Sequence, residues 1–382
     1  MSPFRVLIAL RSLEGLGGLE RYVQDLARSL INRGHQVVVY ATKLGDAARA
    51  LRSETIPVTD DLDSIAVVPT IIHGNGSLET MAALTRFPGV PALFVCHGWW
   101  AWSTAPPRFP RIHRYVAVDD TCRDRMLFQE AIPEEKLSVV LNAVDLERFP
   151  RRGPLPSRPA RALVFSNYAN EMTHVESIRE ACGRAEIALD VAGWSSGNPL
   201  EHPERVLGQY DLVFAKGKAA MEAMAAGAAV VLCDAMGMGT MVTSDSLAAQ
   251  RRLNFGARAL DRRVHAEDLL REVGRYDPAD ATRVSDAIRS IASHTMLVDE
   301  MLALYEEVID EQRRAAPDPA AEILAISRYL EKLSVDFARP LDSQQLFPVL
   351  GLANRVLRTP VIGPAIRWIA RRVAGPAKLG KS

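Results

Sequence analysis

The feature that most constrains this chain is a strand–helix–strand unit at its start. Residues 4–10, FRVLIAL, are an apolar run interrupted only by Arg5, and the glycine-rich turn EGLGG follows. Such a run, bounded by a turn, reads as a strand buried on both faces, the kind found in parallel sheets. The next segment, LERYVQDLARSLINRG, puts Tyr22, Val23, Leu26 and Leu30 on one helical face and Gly34 where a helix C-cap belongs. HQVVVYA is the following strand. A unit of this kind pairs its strands in parallel through a right-handed crossover.

The alternation continues through IAVVPTIIH, ALFVCH, RYVAVD and LSVVLN. It breaks at residues 150–160, PRRGPLPSRPA, a Pro- and Arg-rich stretch without periodicity that reads as a linker. It then restarts with RALVFS, IALDVAGW, YDLVFAKG and AAVVLCD. A chain of 382 residues is too long for one ordinary core. The expected fold is therefore α/β, with two successive doubly wound Rossmann-like domains, 1–150 and 151–310. A helical C-terminal extension, 311–382, follows. No tandem repeat of short period is visible.

Composition excludes several classes. Basic and acidic residues balance at 46 each, so the whole chain carries no nucleic-acid footprint. The cysteines, Cys96, Cys122, Cys182 and Cys233, are widely spaced and form no C-x-x-C pair, which fits reduced thiols in cytoplasm rather than zinc or disulfides. The opening MSPFRVLIALRSLEG does not read as a signal peptide. No run reaches the roughly 20 apolar residues of a membrane span. Beyond Asp342 the charges are all basic: Arg355, Arg358, Arg367, Arg371, Arg372, Lys378 and Lys381. Ile362, Ile366, Ile369 and Val373 share one helical face there. That pattern fits either an interfacial helix on anionic lipid or a helix packed on protein with a solvated basic face.

The turn GLGGLE resembles a dinucleotide fingerprint only in part. Glu20 stands where the third glycine belongs, and the second strand ends VVVYATK without the carboxylate that holds an adenosine ribose. Hydride chemistry is disfavoured. Gly17 and Gly18 still bring a helix N-terminus within reach of an anion, or serve only a tight turn. Asp61 and Asp63 in TDDLD have the D-x-D spacing that holds a divalent cation in single-domain GT-A glycosyltransferases. With a second α/β half present, a solvated loop is the better reading.

The order of segments resembles GT-B-fold glycosyltransferases of family 4. GGLERYVQDLARSLINRGHQVVVYA is similar to their opening, and IIHGNG and FVCHG resemble two His-containing strand ends. EKLSVVLNAVDLERF resembles the stretch before the interdomain linker. DLVFAKGKAAMEAMAAGAAVVLCD resembles the donor-site helix. The resemblance implies a cleft between the domains, with a nucleotide-sugar donor mainly on the second and an acceptor mainly on the first. It also implies metal-independent transfer with retention and no cofactor.

Carried over residue by residue, Glu222 matches the second glutamate of the family's E-x7-E motif, where one carboxylate accepts hydrogen bonds from both ribose hydroxyls. Alone, it could equally offset a helix dipole. Phe214 stands where the first glutamate would be. The strand end FSNYANEMTH lacks the Arg and Lys that hold the donor diphosphate in the family. Ser166 and Asn167 offer only neutral groups. Lys216 and Lys218 are then the expected source of positive charge. Gly193, Gly237 and Gly239 join the expected donor set, the last two as a nest of backbone amides in MGMGT. His97 matches the histidine beneath the transferred sugar and is expected to be catalytic with Glu222. His73, Trp99, Trp100 and Trp102 are expected to bind the acceptor; His73, the weaker candidate, could instead be a packing histidine, and the tryptophans could anchor a loop. Asn142 and Asp145 read as turn residues.

The expected partners are a nucleotide-sugar donor and a saccharide, lipid-linked or natural-product acceptor, with an anionic membrane surface through 355–382 as a further candidate and no nucleic acid. The expected location is cytoplasmic, or peripheral at the inner face of the membrane. A nucleotide-sugar 2-epimerase of the same fold and a non-catalytic scaffold are the rival readings.

Overall fold

The computed structural model describes residues 3–15 and 17–338. Met1–Pro319 is one compact unit and a second begins at Ala320. The first unit opens with β1 (Arg5–Leu13), α1 (Gly18–Asn32), β2 (Gln36–Leu44), α2 (Asp46–Ser53) and β3 (Val58–Thr59). It continues with β4 (Ile71–Gly74), α3 (Ser77–Arg86), β5 (Ala92–Cys96), β6 (Ile112–Ala117), α4 (Asp120–Asp124) and β7 (Leu137–Val139). These strands form a seven-stranded sheet of order β3-β2-β1-β4-β5-β6-β7. Every pairing in it is parallel. The apolar run at the start explains why β1 is central: Val6 to Leu10 are buried on both faces.

The second sheet is built from β8 (Arg161–Phe165), α5 (Val175–Arg184), β9 (Ala188–Ala192), β10 (Leu212–Ala215), α6 (Gly217–Ala225), β11 (Ala229–Asp234) and β12 (Gly237–Met241). Its order is β12-β11-β10-β8-β9. Only β12 runs antiparallel. Helices α7 (Leu247–Arg252), α8 (Ala266–Val273) and α9 (Pro278–Ile291) follow. The small residues of α6 let it lie close on the sheet: Ala220, Met221, Ala223, Met224 and Ala225 are buried in one core with Val213, Val230 and Leu232.

Helix α10 (His294–Arg314) is continuous across residue 310, where the second domain was expected to end. Its buried side, including Leu297, Met301 and Tyr305, packs on β5, β6 and α1 of the first domain. Helix α11 (Pro319–Ala338) supplies, from Ala320 on, the described part of the second unit. Among the described residues no helix is long and apolar enough to cross a membrane. The basic amphipathic segment 355–382 lies outside the described residues.

Candidate active site

Ligands of open α/β sheets bind beyond the carboxyl ends of the strands, where the strand order reverses. In the first sheet that point lies between β1 and β4, and in the second between β8 and β10. Both open into one cleft of about 680 Å³. Its lining includes Gly18, Arg21, His97, Trp99 and Trp100 from the first domain and Ser166, Asn167, Lys216, Lys218, Glu222 and Asp234 from the second.

Glu222 sits in the middle of α6 and is only 2% exposed. Its Oε1 has no hydrogen-bond partner. Burial raises its pKa above the ordinary 4.5, opposed by the charges of Lys218 and Arg21. A buried carboxylate oxygen left unpaired costs about 1–3 kcal/mol or more. It lies in the cleft wall. Phe214 cannot supply a second carboxylate here. It is a core residue of β10, paired with Val231 and Val164 on the neighbouring strands and wholly buried.

The two lysines are held differently. Lys218 donates across the domain boundary to Asp25 Oδ2 of α1 at 2.6 Å. Asp25 is buried, and Lys218 and Arg148 hold its pKa below normal against the opposing effect of burial. Lys216 caps α6, pairs with the wholly buried Asp234 and lies 5.4 Å from the ring centroid of Tyr168. Ser166 Oγ donates to the other oxygen of Asp234 at 2.7 Å, as does the amide of Ala235. Asp234 thus ties the ends of β8, β10 and β11 together. The sequence reading missed it, although an acid closing the apolar strand AAVVLCD was a usable signal.

A third cation was also missed. Arg21, one turn into α1, lines the cleft and donates to the carbonyl of Leu200 at 2.9 Å. Its signal was the Glu-Arg pair that follows the glycine turn. Glu20, its neighbour, folds back on the helix start and takes hydrogen bonds from the amides of its own residue and Gly17. Burial still raises its pKa overall. A Cβ on Gly17 would meet Glu20 Oε2 at 2.4 Å. The Gly17 amide, expected to receive an external anion, therefore faces the chain's own carboxylate. Gly18 itself lines the cleft.

His97 is partly buried at the end of β5. The side-chain amide of Asn75 donates to the carbonyls of Ala9 and His73 at 3.4 and 3.5 Å, leaving its oxygen to accept from His97 Nε2 at 2.9 Å. That network assigns the proton to Nε2 and a free lone pair to Nδ1. Burial, then His73, lowers the His97 pKa to about 3, so the ring is neutral at physiological pH. A neutral imidazole in this tautomer can accept from a sugar hydroxyl; it has no acidic proton to give.

Several expected ligand contacts lie elsewhere. His73 is wholly buried, its Nδ1 2.8 Å from Tyr305 Oη of α10 and its Nε2 3.4 Å from Tyr22 Oη. It is a core histidine that ties β4 to α1 and α10, with its pKa lowered by burial to about 3. Gly193 is absent from the cleft lining. A Cβ there would fall 1.9 Å from the carbonyl oxygen of Ser166, so this glycine lets β9 press against the Ser166 turn. Gly237 and Gly239 form no nest. They belong to β12, and a Cβ at Gly239 would meet Ala259 O at 2.2 Å. Trp99 and Trp100 line the cleft, whereas Trp102 sits outside its lining under the guanidinium of Arg11, 5.4 Å away. Asn142 lines the cleft, and Asp145 Oδ1 accepts from the amides of Glu147 and Arg148, holding the turn. Asp61 accepts from the amide of Asp63, and Asp63 pairs with Arg86. Among the described residues no group of three or more His, Cys, Asp or Glu is placed to hold a metal ion.

The model of Glycosyltransferase Family 4 matches residues 16–148. No curated protein matches the chain by sequence. Among solved structures, Anabaena HepE in complex with UDP and glucose aligns with TM-score 0.57 at 13% identity, over 80% of this chain and 100% of that one. Sucrose-phosphate synthase from Thermosynechococcus elongatus gives TM-score 0.54 at 12% identity, over 80% and 99%. A Listeria monocytogenes protein provisionally designated a UDP-N-acetylglucosamine 2-epimerase gives TM-score 0.50 at 15% identity, over 81% and 98%. At these identities the likeness is one of fold. The architecture is that of GT-B glycosyltransferases, and the resemblance to family 4 holds over the first domain.

Proposed function

We propose that this chain transfers a sugar from a nucleotide-sugar donor to an acceptor, and that Glu222 accepts the hydroxyls of the donor ribose. The observation that carries the reading is the buried Oε1 of Glu222, unpartnered in the wall of a cleft shared by two switch points. Lys216 and Arg21 are the cations available to a diphosphate there. Neutral His97 would accept from a hydroxyl of the transferred sugar through Nδ1. Trp99 and Trp100, 42% and 65% exposed, would stack on the acceptor. HepE, which shares the fold, binds UDP and glucose.

The test is calorimetry with UDP, GDP and TDP on the wild type and Glu222→Gln. Binding of one nucleotide, weakened tenfold or more by the substitution, supports the donor site. No binding of any would favour a scaffold. Retention at the anomeric carbon follows from the family resemblance and is checked by NMR of the product. Transfer without a metal or other cofactor is checked by activity in chelator.

A 2-epimerase reading is kept because the Listeria neighbour shares the fold. Turnover of a nucleotide sugar without acceptor would favour it. Membrane association through 355–382 belongs to the same proposal. Removing residues 345–382 should release the protein from anionic liposomes, and unchanged binding would remove the idea.

A further inference from the structure

A second, smaller pocket of about 180 Å³ adjoins the cleft. Gly18, His97, Asn142 and Lys218 line both, so the two share a wall. The rest of the small pocket is Leu19 and Tyr22 of α1, Ala143 of the turn after β7, and His294 and Leu297 at the start of α10. Trp99 and Trp100 line the cleft but not this pocket. The pocket therefore adjoins the sugar expected beside His97, away from the tryptophan side.

Its chemistry narrows what fits. Among the described residues the one lysine, arginine or carboxylate in its lining is Lys218, whose ammonium already donates to Asp25 at 2.6 Å. A carboxylate or phosphate would find no unspent counter-charge there. Leu19, Ala143 and Leu297 supply apolar surface, which favours a methyl group over water. A lone hydroxyl would leave most of the space empty, since one water takes only about 30 Å³ of liquid. The remaining feature is polar. His294 is 9% exposed, its Nδ1 lies 3.2 Å from Ser29 Oγ, and its Nε2 has no hydrogen-bond partner. Donation by the Ser29 hydroxyl to Nδ1 leaves the ring proton on Nε2, as a donor. Buried polar groups are normally satisfied, so an idle donor in a pocket wall calls for an acceptor. The occupant is thus neutral, larger than a hydroxyl, and carries both an acceptor oxygen and a methyl group.

We propose that this pocket receives the acetamido group of the transferred sugar, so that the donor is a nucleotide-activated N-acetylated amino sugar. Nε2 of His294 donates to the acetamido carbonyl, and the methyl group lies against the leucines. No bond is made or broken in the pocket. His294 is a specificity-determining residue, brought to the site by the helix that returns to the first domain. This rests on the reading of the cleft as a donor site.

The experiment is calorimetry with two matched pairs of ligands. The probes are the glucose and N-acetylglucosamine esters, and the galactose and N-acetylgalactosamine esters, of whichever of UDP, GDP and TDP binds alone. In at least one pair the acetamido sugar should bind about tenfold tighter or more, the worth of one hydrogen bond and one buried methyl group. His294→Phe should reduce that ratio to within about threefold by removing the hydrogen bond. Ala143→Val, which narrows the pocket, should reduce it as well and covers the case in which His294→Phe fails to fold. The readout is a ratio of affinities, which a general weakening of donor binding does not move. Equal affinities within both pairs in the wild type overturn the proposal and leave the donor site standing. A preference that survives in both variants overturns it too. If none of the three diphosphates binds, the donor reading itself falls, and this proposal with it.

Discussion

Each domain places a helix start at its own switch point, and the two are finished in opposite ways. At the first, the amides of Gly17 and Glu20 are taken by the Glu20 carboxylate. At the second, Lys216 precedes α6, and Glu222 sits in the second turn of that helix with an unpaired oxygen. Backbone geometry that can receive an anion occurs in both. The side chains decide which end is available. The lesson is that a glycine turn before a helix marks a possibility of anion binding, and the carboxylate three positions later can close it.

The largest expected effect is at Glu222. Glu222→Leu should weaken nucleotide binding by at least about 100-fold, the loss of two charge-assisted hydrogen bonds of roughly 1.5–3 kcal/mol each. It should also stabilise the unliganded fold, because the orphaned carboxylate is gone. The pH sign follows from linkage. Burial raises the folded pKa of Glu222 above 4.5, so its penalty is absent below 4.5 and develops as pH rises towards the folded pKa. Chemical denaturation across this range should show the wild type losing stability relative to Glu222→Leu as pH increases. Parallel curves would remove the claim.

Lys216→Ala comes next, lowering donor affinity on the order of tenfold, about 1.4 kcal/mol. Unchanged affinity would shift the diphosphate to Arg21 and erase the contrast between the two switch points. Lys218→Met should act on stability more than on binding. It strips a buried Asp25 of its 2.6 Å partner at a cost of roughly 2 kcal/mol, since Arg28 and Arg148 remain at 3.5 and 3.8 Å. A lower melting temperature with near-normal Kd is the expected pair of readings. Smallest is Glu20→Gln, which should leave donor affinity within about twofold, as a closed site should. A tenfold change would show that the first helix start takes part in donor binding after all.

The parallel alternation was legible because buried strands and amphipathic helices write their period into adjacent residues. Glu222 was legible for a similar reason: it is one carboxylate in a helix of small residues. His73 was not. Its strand-end position matched a ligand-facing histidine, but what surrounds it are Tyr22 and Tyr305, the latter 232 residues away. The glycines were ambiguous too. A glycine needed for a ligand's approach looks the same in sequence as one needed for a neighbouring strand. Gly193 and Gly239 proved to be the second kind.

What the sequence alone determined is therefore the architecture: two sheets, their strand-ending turns, and a lone glutamate on a helix of small residues. Those features rest on local periodicity and on residue types that tolerate few backbone conformations. What only the tertiary structure decided is which charges are free. Lys218 is spent on an aspartate 193 positions earlier, Lys216 pairs with Asp234 yet still lines the cleft, and Glu222 Oε1 pairs with nothing. A charge's availability depends on burial and on partners brought together by folding, and neither is encoded in the spacing of neighbouring residues.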